Sequence, residues 1–342
     1  MGFPEAYLSR PAVVFPEQRL DNEELVRRIR ERYRGAPEQW PIIEAGVRTV
    51  FRHCNSQYRY IEADETVRVA DFAARAARDC LAANGVAPDE VDVVIYGGIA
   101  REYFEPATAM EVAAKVGVGE PVHAFDVTSA CSGLLEAVHI GCAYLAMKEQ
   151  VDTVLVASGE LTRKFLSYDI QSPDELITKV AGLTIGNAAA AWVLRRKPFP
   201  GGSVRLLAAD NYSLVSNWGL CHAPIDGTFS SFSHDLFKLN VHVPAALARV
   251  LGSVGWQLGD VKHFVCHQPS DHMVSKVMAD MGIDPERAVR IHHLYGNTAS
   301  TTVPVAMHQL LKERQVLGGD KMVLTVAAAG FSVVTALGEW VA

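Results

Sequence analysis

A chain of 342 residues that is 49% hydrophobic and 21% charged buries a large core, allows two or three domain-sized units and excludes a disordered polymer. Its formal charge of −7 leaves no basic stripe, so nucleic acid is not expected as a partner. The start "MGFPEAYLSR" lacks the basic-then-apolar order of a leader and has Ala6 where a myristoylation motif carries Ser or Thr. The longest uncharged run, Met322 to Gly338, is too short for a membrane span and is broken by Thr, Ser and Gly; a cytoplasmic protein is expected.

In chain order, "LAANGVAPDEVDVVIYGG" (Leu81 to Gly98) reads as the end of an amphipathic helix closed by Gly85, then a strand too continuously apolar to have a wet face. Such strands belong to sheets covered by helices on both sides. Glu105 precedes Pro106, which favours extended backbone at 105 and a helix starting at or just after the proline; there Glu105 gains a little from the helix N-terminus. "FDVTSACSGLL" (Phe125 to Leu135) sets Cys131 among small residues, between a strand and a helix from about Ser132 to Lys148. A helix start presents unpaired N–H groups, so the thiol pKa is expected to fall and its nucleophilicity to rise.

A strand follows from Val151, and residues from about Leu161 to Leu183 form a loop-and-helix insertion. "RRKPFPGG", Arg195 to Gly202, is the linker between an N-terminal half, 1–198, and a C-terminal half, 199–342. In the second half "LGSVGWQLGDVKHFVCHQ" (Leu251 to Gln268) is another helix, closed by Gly255, and another buried strand, ending at His267 ahead of Pro269. "LYGNTAS" holds Asn297 in a turn, the helix "PVAMHQLLKERQ" follows, and a further buried strand starts at Met322.

A shift of 170 residues lays the first helix–strand block on the second, with Leu81, Gly85 and Val91 meeting Leu251, Gly255 and Val261. The same shift lays "VDTVLVASGE" on "KMVLTVAAAG". Two packed α/β units are therefore predicted. The strand ending at Gly97 corresponds to the one ending at His267, and the Cys131 turn corresponds, within a few residues, to the Asn297 turn. Ligands collect at the carboxyl ends of strands, so a pseudo-twofold pairing brings Cys131, His267 and Asn297 to one pocket. Taken singly, each has a plainer reading: a buried cysteine in a packing turn, a histidine capping a carbonyl, and an asparagine tolerating a left-handed backbone.

The six cysteines form no C-x-x-C pair, and the twelve histidines, including His292 and His293, show no metal spacing, so no metal site is expected. There is no G-x-S-x-G, H-E-x-x-H or Walker loop, and "GVGE" at Gly117 follows a helix, not a strand.

"FDVTSACSGLL", "HQPSDHMV", "YGNTASTTVPVAMHQLL" and "AAAGFSVVTALGEW" resemble the nucleophile, histidine, asparagine and glycine-loop motifs of ketoacyl synthase III enzymes of the thiolase superfamily. The resemblance covers nearly the whole chain and implies a duplicated thiolase fold of five layers, α-β-α-β-α. It implies Cys131 as nucleophile, His267 and Asn297 as donors to the second substrate's thioester carbonyl, and the N–H groups of Cys131 and Gly330 as the oxyanion hole. Two departures stand out. "IGNAAAAWVL" (Ile185 to Leu194) replaces the family's glycine-aspartate-glycine-alanine-glycine-alanine run, and Glu105 replaces a phenylalanine that lines the substrate site. Both resemble the branch that joins two acyl-CoA chains head to head in long-chain olefin biosynthesis, where a glutamate reaches the partner subunit's site as a base.

The chemistry of Glu105 points the same way. A malonyl thioester makes its own carbanion by losing CO2, and a nearby carboxylate would repel it by ~1 kcal/mol in water-like surroundings, more when poorly solvated. A plain acyl thioester needs a base to remove its α-proton. The leading expectation is a homodimeric acyltransferase that performs a non-decarboxylative Claisen condensation through a Cys131 acyl-enzyme. The alternatives are decarboxylative condensation with malonyl on acyl carrier protein, acyl transfer to an alcohol or amine, and an inactive scaffold subunit. No tightly bound cofactor is expected; acyl-CoA or phosphopantetheine-carried acyl groups are the substrates, with Trp40 in "EQWPIIEAGVR" implied by the resemblance as the CoA adenine contact.

Overall fold

The computed structural model describes residues 3–342. Helix Val69–Ala83 buries Phe72, Ala73, Ala76, Ala77 and Cys80, and the chain turns at Gly85 with φ +65°. Its counterpart, Val243–Ser253, buries Ala246, Leu247 and Val250 and turns at Gly255 with φ +71°. A left-handed residue just past a helix is where glycine has no Cβ to clash. Single 3-10 turns, Pro88–Glu90 and Leu258–Asp260, lead into the strands Val93–Gly97 and His263–Cys266. The predicted repeat is present in space.

From one edge the main sheet runs His123–Val127, Val93–Gly97, Thr153–Glu160, Ala188–Arg195, Tyr7–Leu8, Ser203–Ser213, Ser332–Val341, Lys321–Ala328, His263–Cys266, with Ala12–Val14 also on Ala188–Arg195. The first three strands are mutually parallel, as are the last two; the remaining pairs are antiparallel. Side chains alternate across each strand and so sort into layers. Val93, Ile95, Val154 and Val156 of one half and Leu324, Val326, Val334 and Ala336 of the other share a core with helices Gly133–Met147 and Thr302–Glu313. The opposite faces, Val94, Tyr96, Leu155 and Ala157, then Phe264, Val323, Val333 and Leu337, pack on helices Val69–Ala83 and Thr108–Val116, and on Val243–Ser253 and Asp271–Asp280. Helix, sheet, helices, sheet, helix make the five layers of the thiolase fold.

The central position explains the apolarity of Ala130–Met147, which is long and apolar enough to cross a membrane; its buried apolar residues lie between the two halves of the main sheet. The insertion forms the helix Pro173–Lys179 flanked by 3-10 turns, and it is not separate: Ile170 and Leu183 share a core with Leu25, Ile29, Ile43 and Val47 of the N-terminal helices Asn22–Arg32 and Trp40–Cys54. Strand His123–Val127 pairs on one side only, and its other edge faces no strand among the described residues.

Candidate active site

Cys131 stands on a sharp elbow. Strand His123–Val127 ends, Ala130 takes φ +45°, a 3-10 turn covers Ala130–Ser132, and the helix proper starts at Gly133. A left-handed alanine is strained and is held here by its surroundings. Ser132 bonds back to Ser129 through its N–H (2.9 Å) and its hydroxyl (2.6 Å). The helix start lies flat on the end of the neighbouring strand, so close that a Cβ on Gly97 would sit 2.3 Å from the Gly133 carbonyl oxygen.

The thiol is not acidified as the helix-start argument predicted. Burial pushes its pKa well up, Cys221 and Glu160 push the same way, and the backbone N–H groups of Ala329 and Cys131 only partly oppose them. Desolvation penalises the thiolate more than two N–H groups repay. Cys131 rests as a neutral thiol.

Asn297 lies in the matching elbow of the second half, where Ala299 takes φ +51° and a 3-10 turn covers Ala299–Thr301. The left-handed residue is thus Ala299, and Asn297 itself is extended, bridged to Ile185 through Asn297 N–H to Thr184 O (2.8 Å) and Gly186 N–H to Asn297 O (3.0 Å). This is the work of the departing "GLTIGN" segment. Asn297 Oδ1 accepts the Ala299 N–H at 3.0 Å, which fixes the amide and turns its NH2 to the other side as a donor.

His267 follows strand His263–Cys266, its N–H on Thr325 O at 2.8 Å. The side chain is buried, and burial, with His292 beside it, lowers its pKa to about 3. A ring this averse to charge is a neutral hydrogen-bond donor, not a base at neutral pH. Gln268 ties this strand end to the approach of Asn297: its Oε1 accepts the Ile291 N–H (2.8 Å), and its carbonyl accepts from His292 Nδ1 (3.0 Å).

The elements that carry the three residues pack together. The Cys131 turn packs on the turn Ala299–Thr301 and on strand Lys321–Ala328, the strand that also receives the His267 N–H. Gly330, at φ +77°, directly follows Ala329, whose N–H faces the Cys131 sulfur. The chain therefore brings the thiol to the Ala329 N–H, on a turn that packs against the elements holding the imidazole and the amide.

Glu105 and Trp40 lie apart from this cluster. Glu105 is exposed on the loop between Val93–Gly97 and Thr108–Val116, and its peptide to Pro106 is cis. The helix begins at Thr108, and its N–H groups at Thr108 and Ala109 are taken by Asp126 at 2.8 Å each, so Glu105 is not the helix-start carboxylate. Trp40 starts helix Trp40–Cys54 with Tyr33 at 5.5 Å and the Arg30 guanidinium 4.9 Å over its ring. The far end of that helix, roughly 20 Å on, is the end that reaches the site, through Asn55 to Asp271 (2.7 Å) and His53 against His272 (4.4 Å). Trp40 is half-buried, packed against the core of the N-terminal helices.

Sequence reasoning missed Glu160, Ser300, Gln268, His292 and Cys221. A carboxylate inside the apolar run "VDTVLVASGE" was the visible signal for Glu160. The repeat was the signal for Ser300, which lies 169 residues after Cys131.

Residues 42–182 match the family described as Thiolase, N-terminal domain, and residues 251–340 match 3-Oxoacyl-[acyl-carrier-protein (ACP)] synthase III C terminal. The chain is 30% identical over 298 residues to a beta-ketoacyl-[acyl-carrier-protein] synthase III of Streptomyces coelicolor, covering 82% of this chain and 85% of that one. It is 27% identical over 287 residues to the acyl-CoA:acyl-CoA alkyltransferase of Xanthomonas campestris pv. campestris, covering 81% and 84%. A crystal structure of an OleA variant from Xanthomonas campestris superimposes with a TM-score of 0.88 at 23% identity over 99% of both chains. Another, with bound lauric acid and lauroyl-CoA, gives 0.88 at 22% over 99% of this chain and all of that one.

Proposed function

The chain belongs to the beta-ketoacyl-[acyl-carrier-protein] synthase III family of thiolase-fold condensing enzymes, and from that premise we propose that it joins two acyl-CoA molecules without decarboxylation. The observation that carries condensation is a pair of neutral donors on elements that pack with the Cys131 turn: His267 kept uncharged by burial and Asn297 with its oxygen tied to Ala299. Two such donors suit a carbonyl oxygen that gains negative charge as an enolate forms.

In this reading Cys131 attacks an acyl-CoA, the N–H groups of Cys131 and Gly330 stabilise the tetrahedral oxyanion, and the thiol proton leaves with the CoA sulfur. A second acyl-CoA then places its carbonyl oxygen on His267 and Asn297. Glu105 removes the α-proton, the carbanion attacks the acyl-cysteine, the C–S bond breaks, and the proton returns to the Cys131 sulfur. The product is a β-ketoacyl-CoA, and the steps balance with no further co-reactant.

Glu105 is supported as the base by its place. It is exposed next to the exposed Tyr103 and Phe104, on a loop whose following helix is capped by Asp126 of strand His123–Val127, and a twofold mate adding its own strand to that strand's open edge would bring its site toward this loop. The proposed enzyme is therefore a cytoplasmic homodimer in which Glu105 serves the partner's Cys131. A second reading, decarboxylative condensation with malonyl on acyl carrier protein, draws on the relatives named synthase III. Incubation with acyl-CoAs alone, then with a malonyl thioester added, separates the two by mass spectrometry of the products. β-Ketoacyl-CoA from acyl-CoA alone is expected; product only with malonyl would replace the first reading by the second.

A further inference from the structure

Glu160 ends strand Thr153–Glu160 with its side chain fully buried. Four donors converge on it: the Ile99 N–H (3.0 Å) and the Ser300 hydroxyl (2.5 Å) on Oε1, the Ala100 N–H (3.2 Å) on Oε2, and the Ser300 backbone N–H. No cation pairs with it among the described residues, and burial pushes its pKa up. A carboxylate buried without a counter-ion is expensive to keep and needs every one of those donors.

The residues it holds belong to the stem of the Glu105 loop. That stem is fastened again by Arg101 to Thr128 (2.6 Å) and by Glu102 accepting the Val69 N–H (3.2 Å), and Arg68 lies 5.1 Å over Tyr103. Beyond Tyr103 the loop projects: Phe104 is 80% exposed and Glu105 is exposed beside it. A tip is aimed by its stem, and two of the stem's N–H groups end on one carboxylate.

We propose that Glu160 is a positioning residue for condensation, holding the backbone of Ile99 and Ala100 so that Glu105 is presented at a fixed place outside its own chain. The inference rests on Glu105 being the base for the partner's site. In Glu160→Gln the amide NH2 replaces one acceptor, meets an N–H and releases one end of the stem, while the shape at position 160 is kept. Cys131 keeps its place, and the variant removes one of the charges that raise its pKa, so acylation is not slowed by the change.

The test uses the whole enzyme, with two purification tags to isolate mixed dimers. Glu160→Gln homodimers should acylate Cys131 to the wild-type extent, condense two plain acyl-CoAs about 10- to 100-fold more slowly, the scale of a small misplacement of a reacting group, and handle a malonyl thioester as the wild type does. Mixed dimers of Glu160→Gln with Cys131→Ala should recover about half of wild-type condensation, because the one working cysteine then receives Glu105 from the chain with an intact Glu160. Recovery to no more than the Glu160→Gln homodimer level overturns the proposal and assigns Glu160 to its own site, as does wild-type condensation by the Glu160→Gln homodimer. Glu105→Gln paired with Cys131→Ala is run alongside: if that pair fails to recover, the trans base reading has failed and this inference with it; if it alone recovers, only this inference has failed. Should Glu160→Gln not fold, Glu160→Asp, which keeps the charge but draws it back by one methylene, is put through the same pairings with the same half-recovery expected.

Discussion

Ser300 donates its hydroxyl to Glu160 at 2.5 Å, and the pair is the second half's counterpart of the nucleophile and its oxyanion turn. Ser300 lies 169 residues after Cys131, and Gly330 lies 170 after Glu160. Each elbow residue therefore faces the strand end of the opposite half. In one copy a thiol meets the backbone N–H of Ala329; in the other a buried carboxylate meets the elbow serine and fastens the loops around it. Duplication gave two elbows, and one became the support of the other.

Cys131 should carry the acyl group and react as a thiol of raised pKa. Cys131→Ala is expected to abolish the adduct detected by mass spectrometry after acyl-CoA treatment while leaving the fold intact, since a small side chain replaces a small one. Because burial holds the pKa high, iodoacetamide labelling of Cys131 in the free enzyme should be slow at neutral pH and still climbing past pH 9. A plateau below pH 8 would mean that the N–H groups of the elbow outweigh burial after all.

His267 and Asn297 should separate the two half-reactions. His267→Ala and Asn297→Ala are expected to leave acylation of Cys131 near wild type and to slow condensation by roughly 10²-fold, the scale of losing one oxyanion donor. Single-turnover acylation and steady-state product formation are the measurements. Equal losses in both would turn His267 into an activator of the thiol.

Glu105→Gln keeps the size and hydrogen bonding of the side chain and removes its basicity. Condensation of two acyl-CoAs should stop, acyl transfer to Cys131 should continue, and a malonyl thioester, which supplies its own carbanion, should be used no worse than by the wild type. A Glu105→Gln enzyme condensing two acyl-CoAs at the wild-type rate sinks the base assignment.

Stability should fall on acidification because of the buried histidines. His267 and His292 are held neutral, with pKa lowered to about 3 and about 4 from an ordinary 6.5. A depressed histidine contributes stability that is whole above the unfolded pKa and is lost as pH falls from about 6.5 toward the folded value, at up to ~1.4 kcal/mol per pH unit for each ring. Urea unfolding between pH 7 and pH 4.5 should therefore show a steeper loss in the wild type than in His267→Asn. Parallel slopes would show that His267 gains a proton in the native state without difficulty.

The sequence by itself determined the duplicated α/β architecture and singled out Cys131, His267 and Asn297 at its elbows and strand ends. Helix, closing glycine and buried strand recur at one shift because each copy must bury the same two faces, and local patterning carries that information. Only the tertiary structure decided the rest. The thiol's acidity is set by how much water is excluded from Cys131, which outweighs the helix start that the local sequence shows. Asp126, not Glu105, caps the helix at Thr108, because a strand 18 residues further on runs alongside it. Trp40 is half-buried against a core that the insertion completes by folding back over the N-terminal helices. Glu160 joins residues 99, 100 and 300, a convergence that no linear pattern records, since hydrogen bonds across the sheet depend on strand order and register, and these are fixed only when the two halves close on each other.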